Sequence, residues 1–314
     1  MSSSEAAIRR PSQIRSRIVG ELRRRVARRE LFTPLLFTPR AATPVVLAEE
    51  ISWRCCSPML LLSTATSSFA WWSAAARELH ERGFAKLPGR VDTQLVEHLR
   101  HASIAELEQQ LVEVSAAGCD VLEQQYSFNS ICHRQRLRWD VRLSDTPEWH
   151  QFRTDALRLV EAGLEQPLRV LMSGVVVSRS GADGQRFHAD GNSELLTCFV
   201  PLVDIAADSD GTQFWPGSHE DDHGPTLAPT LEWDDARMAE MAAPGCAAGG
   251  VLAFDYRVIH RGLPNAGRDR PVAYLVVAPE DDAGLEDALN FPDLRVADAR
   301  PADVAAFPRW DEID

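Results

Sequence analysis

Hydrophobic spacing along the chain changes character near residue 71. Before that point Ile14, Ile18, Leu22 and Val26 recur every fourth residue among Arg15, Arg17, Arg23, Arg24, Arg25, Arg28 and Arg29, which is one apolar stripe on a basic amphipathic helix. After it the pattern becomes regular. Trp72–Arg82 has helical spacing and is followed by Gly83, a residue suited to the left-handed position that ends a helix. Phe84–Leu87 reads as a short strand before Pro88-Gly89. Asp92 is placed to cap a helical stretch whose apolar face is Leu95, Leu99, Ile104, Leu107 and Leu111. Pro147–Ala162 reads as a helix with proline in its first turn. Leu168–Ser178, Glu194–Pro201, Val251–Ile259 and Val272–Val277 have the apolar, β-branched content of strands. A helix is expected over 229–243 and a turn at Asp208–Gly211. In Tyr126–Leu143, Arg134, Arg136 and Arg138 alternate with other residues, which predicts a strand with one polar face.

Helices first, then many strands joined by turns, predict a mainly β fold with flanking helices. Its core is expected to be a double-stranded β-helix, a cupin-like jelly roll. Three parts are expected: an extension over 1–70, a main domain over 71–280, and a tail over 281–314 packed on the core through Phe291, Phe307 and Trp310. No internal repeat interrupts this order.

Charge sharpens the division. Residues 1–60 hold 11 arginines and 5 acidic residues, against a formal net charge of −13 for all 314 residues. The extension therefore fits either an organellar transit peptide or a disordered segment, and the protein is expected to be intracellular, cytoplasmic or organellar. The acidic remainder has no basic face with interleaved aromatics, so nucleic acid is not expected as a partner. No apolar run is long enough to span a membrane. The six cysteines, Cys55, Cys56, Cys119, Cys132, Cys198 and Cys246, show no CxxC spacing and read as reduced thiols. Lys86 is the only lysine, so a buried cation that anchors a carboxylate is expected to be arginine.

The chemistry centres on FHAD, residues 187–190. His188 and Asp190 are two apart and on a strand would share one face. His260 follows at the end of the run Val251–Ile259. Two histidines and a carboxylate occupy one face of an octahedral metal and leave positions open for substrate and O2, the donor set of non-haem Fe(II) oxygenases. Arg270 opens the strand RPVAYLVV; if His260 closes one strand and Arg270 opens its antiparallel neighbour, both face one cavity. A guanidinium pairs bidentately with a carboxylate, which suits a dicarboxylate co-substrate. Thr212 and Gln213 are candidates to touch the co-substrate or substrate. Arg136 or Arg138 is a candidate for an anionic substrate group, and Trp215 and Phe187 for the cavity wall. His219, in Pro-Gly-Ser-His, reads as structural, with Gly217 permitting an unusual backbone.

From Ala74 to Ala278 the chain resembles the phytanoyl-CoA dioxygenase family. Four blocks in order carry the resemblance: ELHERGFAKLPGRVDTQLVEHLR, FHAD, GTQFWPGSH and GGVLAFDYRVIHRGLPNAGRDRPVAYLVV. The resemblance implies His188, Asp190 and His260 as iron ligands and Arg270 as the anchor of 2-oxoglutarate. It also implies O2 as oxidant and ascorbate as a reductant. The implied reaction is hydroxylation of an unactivated C–H of a small-molecule substrate, with release of succinate and CO2. Two departures stand out: Arg270 follows His260 by ten positions where many members have eleven, and Gly249-Gly250 replaces a common Gly-Asp. Asp190 is present, which favours hydroxylation over halogenation. The alternative, a cupin-like metal-binding protein without oxygenase activity, leaves Arg270 without a purpose. A metal hydrolase would want an HExxH-like helix, and the chain has none.

Overall fold

The computed structural model describes residues 74–128, 131–220 and 233–280. The predicted extension and tail, with Cys55 and Cys56, lie outside them. A first helix, α1, covers residues 74–82 and ends at Gly83, whose φ is +81° and whose N–H donates to the Leu79 carbonyl at 2.9 Å. A side chain at Gly83 would also meet His219 Nδ1 at 2.6 Å, so both the dihedral and the space require glycine. Strand β1, Phe84–Leu87, has the predicted bounds. Asp92 caps α2, Thr93–Ala116, accepting from the N–H groups of Gln94 and Leu95. Helix α3, Pro147–Leu164, opens with Thr146 as cap and Pro147 in its first turn.

Strands β2 (Tyr126–Phe128), β3 (Ile131–Gln135), β4 (Arg138–Val141), β5 (Leu168–Ser178), β6 (Leu196–Pro201), β8 (Val251–Asp255) and β10 (Arg270–Pro279) join β1 in one sheet. Its order is β1-β8-β6-β10-β5-β4-β3-β2, and every pairing is antiparallel. Strands β7 (Thr212–Phe214) and β9 (His260–Gly262) form a smaller second layer. Single bridges from His188 to His260 and from Phe214 to Ala242 widen it. The result is the expected mainly β, double-layered jelly roll with flanking helices.

Period-2 geometry divides the large sheet into two environments. Val175, Val177, Cys198, Val200, Ala273 and Leu275 point to one side, where they join Leu99, Leu107, Phe152 and Val160 of α2 and α3 in the main core. Their alternates, including Val176, Phe199, Val272 and Val276, line a cavity on the other side, facing the small layer. All ten residues of β10 are buried, so the alternation there is between two interiors.

Four expectations need correction. The predicted strand over Tyr126–Leu143 is a meander: β3 and β4 are joined by a turn at Arg136-Leu137, with Leu137 at φ +61°. The predicted helix over 229–243 reduces, among the described residues, to the single turn α4, Asp235–Met238. The run Val251–Ile259 stops pairing at Asp255, turns, and His260 begins a strand in the other layer. Arg270 does open β10, but β10 pairs with β5 and β6 rather than with the strand of His260.

Candidate metal centre and its cavity

His188 and Asp190 do not lie on a regular strand. The chain is extended at His188 and makes one closed pair with His260: His188 N–H donates to the His260 carbonyl at 2.9 Å, and the reverse bond is 2.8 Å. Directly opposed residues project to one face, and the two imidazole rings sit 4.5 Å apart. Each Nδ1 faces a backbone carbonyl two residues back, Arg186 for His188 (2.9 Å) and Val258 for His260 (3.0 Å). A carbonyl only accepts, so Nδ1 carries the proton and Nε2 presents its lone pair. Both Nε2 atoms turn toward Asp190 Oδ1, at 3.9 Å from His188 and 3.7 Å from His260. Asp190 Oδ2 accepts from Thr197 Oγ1 at 3.1 Å, which fixes the carboxylate.

Potential ligand atoms of His188, Asp190 and His260 all lie within 4.8 Å of one another, and this is the one such group among the described residues. Burial in the cavity, with His260 alongside, lowers the His188 pKa to about 4, so the imidazole is held in the neutral form that binds metal. Phe254 and Phe214 wall in the His260 ring at 5.0 and 5.8 Å. Two imidazoles of fixed tautomer and one anchored carboxylate fit a divalent metal that keeps open positions.

The His188, Asp190 and His260 set opens into a cavity of about 620 Å³, a volume suited to a small molecule. Arg270 is 4% exposed and lines it. Its Nη2 reaches Ser178 Oγ and the Leu263 carbonyl at 3.5 and 3.4 Å, and the nearest Asp210 oxygen is 3.8 Å from Nη1. Nη1 has no hydrogen bond. Burial lowers the pKa of this guanidinium, with Asp210 opposing. A buried cation with an unbonded N–H is a costly arrangement unless an anion completes it.

Arg138 also lines the cavity, 2% exposed, and its pKa falls to about 9 through burial and the nearby Arg270. Its terminal N–H groups are directed at the Asp183 and Leu263 carbonyls and at Gln185 Oε1, at 2.8–3.1 Å. Gln185 Oε1 accepts from Gly262 N–H as well. Arg138 thus ties the segment before His188 to the segment after His260. A side chain at Gly262 would overlap its guanidinium. Arg136 stands at the hairpin turn with its side chain 43% exposed and donates to Glu123 at 3.3 Å. Thr212 and Phe187 line the cavity. Trp215 is not among the lining residues; its indole donates to Glu240 at 3.2 Å and packs edge-on to Trp233, with Arg237 over its ring. His219 is buried against the His80 carbonyl, and Gly217 has φ +82°, both parts of the structural turn.

Sequence reasoning did not single out Asp140, Tyr274, Thr197 or Gln185. Asp140 and Tyr274 reach the cavity through pairing between distant strands, and no local pattern marks Thr197 or Gln185.

A family model described as phytanoyl-CoA dioxygenase (PhyH) matches residues 79–272. No curated protein matches the chain. Among solved structures, the non-heme α-ketoglutarate-dependent epimerase SnoN from nogalamycin biosynthesis is 19% identical, with 74% of this chain and 90% of that chain covered and a TM-score of 0.48. AviO1 from Streptomyces viridochromogenes Tue57 is 19% identical over 67% and 96%, with a TM-score of 0.47. HygX from Streptomyces hygroscopicus, with nickel, 2-oxoglutarate and hygromycin B bound, is 18% identical over 66% and 87%, with a TM-score of 0.47.

Proposed function

The chain belongs to the phytanoyl-CoA dioxygenase family of 2-oxoglutarate-dependent non-haem iron enzymes, and on that premise we propose that it hydroxylates an unactivated C–H bond of a small-molecule substrate. Succinate and CO2 are the co-products. The observation that carries the reading is a single cavity holding both a convergent His-Asp-His set and a buried arginine with an unbonded N–H. A plain metal-binding module has no use for the second feature.

In this reading His188, Asp190 and His260 hold Fe(II), each by a donor atom whose orientation is already set by a backbone carbonyl or by Thr197. Arg270 takes the distal carboxylate of 2-oxoglutarate through Nη1, exchanging its long approach to Asp210 for a charge-assisted bond. Thr212, on the rim of β7, lies along the same cavity and is the second candidate to contact the co-substrate. Bound iron and 2-oxoglutarate supply the activation of O2 and the oxidation of the C–H bond. The protein orients the substrate and excludes water, with Phe187, Phe199 and Val272 as apolar walls. Arg138 keeps the two histidine-bearing segments in register.

The test is conversion of 2-oxoglutarate to succinate with Fe(II) and O2, alongside a search for products heavier by one oxygen. Succinate formation that disappears in His188→Ala supports the reading. Succinate formation that survives the substitution, or no 2-oxoglutarate binding under anaerobic conditions, sinks it.

A further inference from the structure

Polar side chains in the cavity fall into two groups. Arg138 and Arg270 stand at one level of the sheet, because both pair across β5 with Ser178. Arg134, Asp140 and Tyr274 form another, joined by hydrogen bonds of their own. Tyr274 is on β10, but its hydroxyl donates to Asp140 on β4 at 3.0 and 3.2 Å, so its ring crosses β5. The crossing point is Gly174, the cross-strand partner of Tyr274, where any Cβ would come within 2.7 Å of the phenol oxygen. Arg134 Nη2 donates to the same carboxylate at 3.4 Å.

Arg134 reaches this place through a break in register. His133 pairs with Trp139 and Gln135 with Arg138, so two residues of β3 oppose one of β4. Unbroken alternation would send Arg134 and Gln135 to opposite faces. The bulge puts both into the cavity lining, and re-aiming a side chain is what such bulges do near functional sites.

Accessibility decides which charge a ligand meets. The Asp140 side chain is 6% exposed and already receives Tyr274 and Arg134, whereas the Arg134 side chain is 24% exposed. The charge balance agrees. With Arg270 and Asp190 assigned above, the lining retains Arg134, Arg136, Arg138 and Arg186 against Asp140 and Asp183. Counting Glu123 on Arg136 still leaves the cavity positive, in a chain whose formal net charge is −13.

We propose that Arg134 anchors an anionic group of the substrate, a carboxylate or a phosphate, with Asp140 and Tyr274 as its positioning residues. Met172 and Val176 beside this group offer an apolar wall for the rest of the molecule. The inference rests on the function proposed above and names the substrate class for that same site.

The test uses the full chain loaded anaerobically with Fe(II) and saturating 2-oxoglutarate, titrated with hexanoate, hexyl phosphate and hexanamide. At least one of the two anions should bind about tenfold or more tightly than the uncharged amide, the scale of a charge-assisted hydrogen bond. The stronger of the two tells carboxylate from phosphate. Arg134→Gln should erase the preference and Arg134→Lys retain part of it, with 2-oxoglutarate affinity unchanged within about twofold. Tyr274→Phe should reduce the preference without removing it. Neither anion binding, equal affinity for the amide, or a preference that survives Arg134→Gln would overturn the proposal. So would loss of 2-oxoglutarate affinity in Arg134→Gln, by moving Arg134 into the co-substrate site. Failure of the wild type to bind 2-oxoglutarate is read before any anion is added; it overturns the co-substrate reading and this proposal with it.

Discussion

On the helix side of β10, Ala273, Leu275 and Val277 pack among Val175, Val200, Phe152 and their neighbours. On the cavity side of the same strand, Arg270, Val272, Tyr274 and Val276 alternate with them and line the cavity shared with His188, Asp190 and His260. Both sides are buried, yet they answer to different constraints. The helix side needs apolar volume, and shape-conserving exchange there is tolerated. On the cavity side single atoms have directed partners: Tyr274 Oη has Asp140, and Asp190 Oδ2 has Thr197. One strand thus separates stability from chemistry at a spacing of one residue.

Substitutions on the two sides should break in different currencies. The largest effect is expected from His260→Ala, which removes a metal donor; iron content and succinate formation should fall by more than about a hundredfold. Leu275→Ala, on the opposite side of the sheet and fully buried, should reduce unfolding free energy by about 2–5 kcal/mol in denaturant titration and leave turnover per folded molecule unchanged. If Leu275→Ala lost activity without losing stability, the division between the two sides would fail.

Acid should expose a titrating group on the helix side. His133 is fully buried, stacked on Trp139 at 4.8 Å, and burial lowers its pKa to about 4. Its folded value lies below the unfolded value of about 6.5, so the unfolded chain binds the extra proton. Stability from this group is therefore present above pH 6.5 and is lost as pH falls toward 4, by roughly 3 kcal/mol in full. Unfolding curves of the metal-free protein across that window should show the loss, and His133→Gln should remove the share carried by His133 while leaving that of His188, whose pKa is also lowered to about 4. A wild type with no change between pH 6.5 and 4 would contradict the assignment.

Arg270→Gln should weaken 2-oxoglutarate by about 2 kcal/mol, roughly thirtyfold, with iron affinity retained, as measured by anaerobic titration. Thr197→Val should have the smallest effect, about 1 kcal/mol or less in iron affinity, because it removes one neutral donor to a carboxylate that keeps its place on the chain.

Much of the element plan was legible from local chemistry. Phe84–Leu87 and Leu168–Ser178 have their predicted bounds, and Asp92, Pro147 and Gly83 act where predicted, because capping and left-handed φ are local properties. The row Arg134, Arg136, Arg138 misled because alternation cannot reveal a bulge followed by a turn. All three line the cavity, yet Arg134 is aimed at the Asp140 carboxylate, Arg136 stands at the exposed turn, and Arg138 is clamped between loops. His260 was assigned to the wrong end of a strand for a similar reason: the apolar run continues through Tyr256–Ile259 although the backbone has left the sheet.

The candidate donors, the arginine that lines the same cavity and the mainly β architecture were legible from residue types, spacing and family resemblance, since metal-ligand chemistry and strand periodicity are written residue by residue. Tertiary structure decided the rest. It brought His188 opposite His260, carried the Tyr274 ring over Gly174 to Asp140, and placed Arg138 across two loops. Each of these is a meeting between segments tens of residues apart, and such meetings are set by strand order and register, which no local pattern encodes.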